Sequence, residues 1–182
     1  MDAFALLIAA ALVSGTPLAL AGLGLLINER AGVLNLGAEG MMLVAAVAGF
    51  AVAFNTGSDS LAFVAGAVAG AVLAAGFGWL VIWLNTNQYA TGLALSLFGY
   101  GFSAFVGVGY VGKKLSERQQ LEIPFLADIP LIGPALFKQH PMVYGAIALT
   151  ALAIWFLYRS RSGLVLRAIG ESPESAHSLG YK

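Results

Sequence analysis

The sequence predicts an all-α, polytopic helical membrane protein with about five transmembrane helices. Composition is the first reason. Of 182 residues, 59% are hydrophobic and only 10% charged, where a globular domain carries about 25%. The second is the recurrence of apolar runs of about 20 residues, the length that crosses a bilayer as a helix. The third is the stretch Asn28–Met42, which sets three charges (Glu29, Arg30, Glu39), two asparagines and three glycines between apolar runs. An ionisable group at mid-bilayer costs roughly 2.5–3.5 kcal/mol on insertion scales. A chain therefore keeps such groups at the interface, in a buried pair or beside a water-filled cavity. A broken-helix segment at 28–40, lining a protected polar path, is the expectation.

The first span is Phe4–Ile27. Pro17 is expected to kink it, with Thr16 satisfying freed backbone groups. Ala21, Gly22 and Gly24 give it a small-residue face. A signal peptide is the rival reading, but no Lys or Arg precedes Arg30, so the basic leader region is missing. The break Asn28–Ala38 follows, then a short second span, Glu39–Phe54, which can begin inside the membrane. Asn55–Ser60 is a turn cluster.

The third span is Leu61–Leu84, where Gly66 and Gly70 form a GxxxG pair for close helix packing. A glycine-rich helix without a particular partner fits the same residues. Asn85–Tyr89 is a polar break. In the fourth span, Ala90–Val111, Gly99, Ser103 and Gly107 share one ridge. The stretch Gly112–Pro141 is too polar and proline-rich to span, and reads as an extracytoplasmic excursion with a short interfacial helix near Ile129–Phe137. Met142–Tyr158 is the fifth span, with Trp155 and Tyr158 as interface anchors. Arg159–Lys182 is a polar tail. Its Arg159, Arg161 and Arg167 follow a span closely, which places it in the cytoplasm. The Asn28–Ala38 and Asn85–Tyr89 breaks then lie on that same side.

Several function classes drop out. Net charge is zero, so no basic field attracts nucleic acid. There is no cysteine, hence neither disulfide nor thiolate metal site, and His140 and His177 lack metal-ligand spacing. No nucleophile motif and no phosphate loop with its lysine occurs. Gly22-x-Gly24 lacks the strand–helix context of a dinucleotide site. The chain is not read as an enzyme and no cofactor or metal is implied.

Two polar constellations could carry function. Asn35 and Glu39 are four residues apart and share a face if helical. A helix starting near Glu39 would hold its carboxylate at the positive end of the dipole. The pair either lines a substrate path or satisfies a broken backbone. Asn87, Gln88 and Thr91, with Asn85, form a second cluster, whose amides both donate and accept and so suit neutral hydroxylated or heterocyclic solutes. An ordinary interfacial loop is the favoured account of the same residues. In the tail, Ser172 is a good N-cap, Pro173 fits the first helical position, Glu174 complements the dipole and Gly180 can end the helix.

Asn28–Met42 resembles a stretch of the permease subunits of bacterial ABC importers in the branched-chain amino acid and simple-sugar group. Asn87–Leu95 is similar to the nucleoside-type branch, and Leu164–Gly180 resembles the family's cytoplasmic coupling loop. The resemblance implies a single transmembrane permease domain working by alternating access in the cell membrane, for nucleosides or related polar solutes. It implies separate ABC ATPase subunits, a second permease subunit, an extracytoplasmic solute-binding protein and the lipid bilayer as partners, with no nucleic acid. It assigns ATPase coupling to Arg167, Gly170, Glu171, Pro173, Glu174 and Ala176 within a cytoplasmic coupling segment at 159–182. Family members have about twice as many spans, so the chain is expected to be part of a longer permease. An ion-coupled secondary transporter titrating Glu39, or a non-transporting assembly subunit, are the alternative functions.

Overall fold

The structure is a computed structural model that describes residues 3–115, 121–122 and 137–181. The described elements are α1 (Ala3–Arg30), α2 (Ala38–Thr56), α3 (Asp59–Gly78), α4 (Gln88–Gly107), β1 (Leu121–Glu122), β2 (Lys138–Gln139), α5 (Pro141–Arg159), α6 (Arg161–Glu171) and α7 (Pro173–Ser178). Among the described residues, five helices are long and apolar enough to cross a membrane. The all-α polytopic class is thus what the chain adopts. Large apolar side chains such as Leu18, Val68, Leu97 and Phe105 point outward, as they do when lipid is the solvent.

The chain forms two compact units. One contains α1, β1, β2, α5, α6 and α7; the other contains α2, α3 and α4. In the first, α1 runs without interruption through Pro17 to Arg30, and the Thr16 hydroxyl donates to the Leu12 carbonyl at 2.6 Å. Asn28, Glu29 and Arg30, expected in the break, instead form the last turn of α1. The helix ends at Arg30 and the chain turns away at Gly32, whose φ of +80° is the left-handed conformation glycine adopts freely. The break is correspondingly shorter than the sequence suggested.

α5 begins with His140 as N-cap and Pro141 in the first turn. It packs against α1 and buries Val143, Ala146 and Leu157. β1 and β2 form a two-residue antiparallel ladder pairing Leu121 with Gln139 and Glu122 with Lys138. The helix expected near Ile129–Phe137 falls outside the described residues apart from Phe137, which lies in a bend. The tail holds one more helix than expected. Ser160 closes α5 and caps α6, so a chain read as polar tail folds into Arg161–Glu171 before α7 starts.

In the second unit α2 packs chiefly on α3 and α4. Gly49 and Gly66 face each other across α2 and α3: a Cβ on Gly49 would meet the Ala62 carbonyl oxygen at 3.1 Å, and one on Gly66 the Ala45 carbonyl oxygen at 3.0 Å. Gly70 faces the Ala45 methyl. Small residues let these backbones close without a hydrophobic driving force, which lipid does not supply. α3 ends at Gly78 and widens into a π-helical turn, Trp79–Trp83, before the third span as read from sequence is complete. Trp79 and Trp83 are exposed there. Asn85 follows at φ +49°. At the opposite end, Tyr110 meets Phe50 and Phe54 edge-on, accepts from Asn55 at 3.2 Å, and lies under the Lys113 ammonium.

Candidate functional site

The interrupted entry into α2 is built on α4. Residues 33–37 are non-helical, and α4 supplies the hydrogen bonds their backbone would otherwise lack. The Leu34 N–H donates to Gln88 Oε1 at 2.7 Å. The Leu36 carbonyl accepts from the buried Ser96 hydroxyl at 2.8 Å. Gly92 leaves room for the Leu36 and Gly37 amides, which a Cβ there would meet at 2.8 and 3.1 Å. Asn35 is buried; its Oδ1 accepts from the Gly37 N–H at 2.8 Å and its amide nitrogen faces Met41 Sδ at 3.7 Å.

α2 therefore starts well along α4, not level with its beginning. A Cβ on Gly99 would overlap the backbone of Gly40, and one on Gly40 would come within 2.6 Å of the Leu95 oxygen and Ser96 Cα. Gly99 lies eleven residues after Gln88, about 16 Å along the helix. That is roughly half the bilayer's hydrocarbon thickness of about 30 Å. Glu39, in the first turn of α2, is exposed on the surface of this unit at that height. Its carboxylate interacts with the hydroxyl of Tyr100, itself 43% exposed.

The expected second cluster has local partners. Asn87 caps α4 by accepting from Ala90 N–H at 3.1 Å. Gln88 holds Leu34, and the Thr91 hydroxyl donates to Thr86 Oγ1 at 2.9 Å. Thr91 also lines an apolar groove with Phe77, Leu95 and Phe98. Of the α4 ridge, Gly99 meets Gly40, Gly107 faces the Val47 side chain, and the Ser103 hydroxyl turns back to the Tyr100 carbonyl.

The other polar constellation sits in the first unit. The Ser160 hydroxyl donates to the Phe156 carbonyl at 2.6 Å and accepts from Gly163 N–H at 2.9 Å, fixing the elbow between α5 and α6. Ser172 caps α7 by accepting from Ser175 N–H, Pro173 occupies its first turn, and Gly180 follows at φ +89°. Pro173, Glu174, Ser175 and His177 face outward while Ala176 is buried as the anchor.

Residues 7–182 match the family described as the branched-chain amino acid transport system permease component. The chain belongs to that family. It is 43% identical over 178 residues, 96% of its length, to a Haloferax volcanii protein named "Putative glucose ABC transporter permease protein". It is 30% identical over 189 residues to a guanosine ABC transporter permease of Bacillus subtilis, and 29% over 186 residues to a nucleoside ABC transporter permease of Lactococcus lactis, each covering 96% of the chain. The chain spans 54% of the first of these relatives and 59% of the other two. No solved structure matches it.

The residues to which the resemblance assigns coupling differ in their surroundings. Pro173 and Glu174 are exposed. Arg167, Gly170 and Glu171 line a cleft of about 390 Å³ with Leu26, Glu29 and Arg30 of α1. The Arg167 guanidinium lies 4.8 Å over the Tyr158 ring, and its Nε is buried without a hydrogen bond among the described residues. Tyr158, expected as an interface anchor, is the platform for that arginine. Sequence reasoning missed Ser96 and Tyr100, the groups that meet the broken segment and Glu39. Ser96 lies three residues before Gly99 and Tyr100 directly follows it, but neither stands out from an apolar run.

Proposed function

We propose that the chain is a transmembrane permease subunit of an ATP-driven ABC importer, carrying a small hydroxylated solute by alternating access. The observation that carries this reading is Glu39: an exposed carboxylate in the first turn of α2, level with the middle of the spanning helix α4, where the chain enters α2 from non-helical backbone. Lipid does not tolerate a bare charge at that depth. An aqueous path does, and Glu39, Tyr100 and the broken backbone give that path acceptors and donors together. Asn35 holds the turn, and Asn87, Gln88 and Thr91 fix the mouth of the path from the α4 side.

The solute class follows from the same chemistry. A carboxylate accepts from two neighbouring hydroxyls at once. Sugars and nucleosides both present such hydroxyl pairs, and the relatives' names include glucose, nucleoside and guanosine. Nucleosides or related compounds and simple sugars form one class for this site. The reading places α7, the Asn85–Asn87 turn and the end of α1 on the cytoplasmic face of the cell membrane. α7 meets an ABC ATPase there, while a second permease subunit and an extracytoplasmic solute-binding protein complete the assembly.

The test is Glu39→Gln in the assembled transporter. Hydrogen bonds to charged groups contribute about 1.5–3 kcal/mol, so uptake should fall about tenfold or more at equal membrane abundance. Unchanged uptake of both labelled nucleoside and labelled glucose, in a transporter that carries one of them, contradicts the proposed path.

A further inference from the structure

α6 touches its neighbours through bare backbone at both ends. A Cβ on Gly163 would overlap the Phe156 carbonyl oxygen of α5 and meet Leu157 Cα at 2.8 Å. A Cβ on Gly170 would overlap the Arg30 carbonyl oxygen at the end of α1 and meet Gly32 N at 2.7 Å and Ala31 C at 2.8 Å. The two glycines are seven residues apart, close to two full turns, and so lie on one side of the helix. Between them Arg167 spans the same two neighbours, with its guanidinium over Tyr158 of α5 and its side chain in the cleft against Glu29 and Arg30 of α1. Ser160 pins the near end by its paired hydrogen bonds. α7 follows after one residue, Ser172.

We infer that α6 is a strut that joins the cytoplasmic ends of α1 and α5 into one rigid body, with Gly163 and Gly170 as positioning residues. This rests on the coupling role proposed for α7. Gly170 then serves α1 and not the ATPase directly. A displacement of α7 moves α1 and α5 together. Gly32 is followed in the chain by Val33, the first residue of the non-helical segment, so that segment is tied to the strut by a peptide bond. Gap-free backbone contact suits this task because packed interfaces shift as units instead of deforming.

The experiment uses the assembled transporter, whose permease chain has no cysteine to interfere with labelling in these residues. Spin labels go on cysteines replacing the outward-facing Leu18 of α1, Leu152 of α5 and Leu164 of α6. The α1–α6 and α5–α6 distances are measured without nucleotide and in an ATP-trapped state. Both should change by less than about 2 Å, the scale of small interface adjustments, and a shift near one helical turn, about 5.4 Å, would refute the strut. In parallel, Gly163→Ala and Gly170→Ala should lower uptake about tenfold, within the usual range of coupling between sites, while ATPase subunits still co-purify. Uptake within twofold of the parent for both variants counts against it. If bulky residues at Glu174 and Ser175 leave ATPase co-purification intact, the coupling role of α7 itself fails, which the distance measurement alone would not report.

Discussion

Gly40 and Gly99 meet backbone to backbone, so that the first turn of α2 rests on the middle of α4. The contact fixes the height at which α2 begins and hence where Glu39 stands. Gly99→Ala puts a methyl into the Gly40 main chain. Overpacking of this kind costs about 1–3 kcal/mol. The thermal midpoint of the purified assembly should fall, and uptake should fall with it.

The buried Ser96 hydroxyl is the partner of the Leu36 carbonyl in a part-buried setting. Ser96→Ala removes that donor from the Leu36 oxygen. Interhelical hydrogen bonds in membranes contribute about 0.6 kcal/mol on average and up to about 1.7. A destabilisation of that size, read by thermal denaturation in detergent, is expected, with a smaller loss for Ser96→Thr, which keeps the hydroxyl.

The Tyr100 hydroxyl interacts with the Glu39 carboxylate while the residue stays partly exposed. Tyr100→Phe removes the hydroxyl and keeps the ring. Folding and membrane abundance should hold. Uptake should fall about threefold to tenfold, the equivalent of one modest hydrogen bond, and transport assays at matched expression measure it.

Glu174 and Ser175 lie on the outward side of α7. Replacing both with Trp in the assembled transporter should reduce ATPase co-purification and uptake while the permease still reaches the membrane. The buried anchor Ala176 must be left alone in this test, because changing it would unseat the helix and mimic the effect.

Ser160 holds the elbow by donating to Phe156 and accepting from Gly163. Ser160→Ala removes a cap contribution of about 0.5–2 kcal/mol. Limited proteolysis between Arg159 and Arg161 should quicken. Ser160→Thr, which can cap in the same way, should restore much of the resistance.

The five spans were legible because lipid imposes one composition over one length, and a run of apolar residues carries that demand openly. The α7 cap was legible for a comparable reason: Ser172-Pro173-Glu174 is a local signal that needs no distant partner. The end of α1 was misjudged because polarity is not the same as a helix stop. Asn28, Glu29 and Arg30 accept helical backbone, and the chain turns away only at Gly32. α6 was overlooked because its polar residues matched the expectation of a tail, while its defining contacts are to the ends of α1 and α5.

The sequence by itself determined that the chain crosses a membrane, that its first polar interruption precedes α2, and that a short capped helix follows the last span. Each of these depends on composition or on neighbours within one turn. Only the tertiary structure decided how deep α2 begins, that Gln88 and Ser96 satisfy the interrupted backbone, and that Tyr100 stands beside Glu39. Those relations join residues about 54 to 61 positions apart, and packing between glycines sets them. No local rule encodes which bare stretches of backbone will meet.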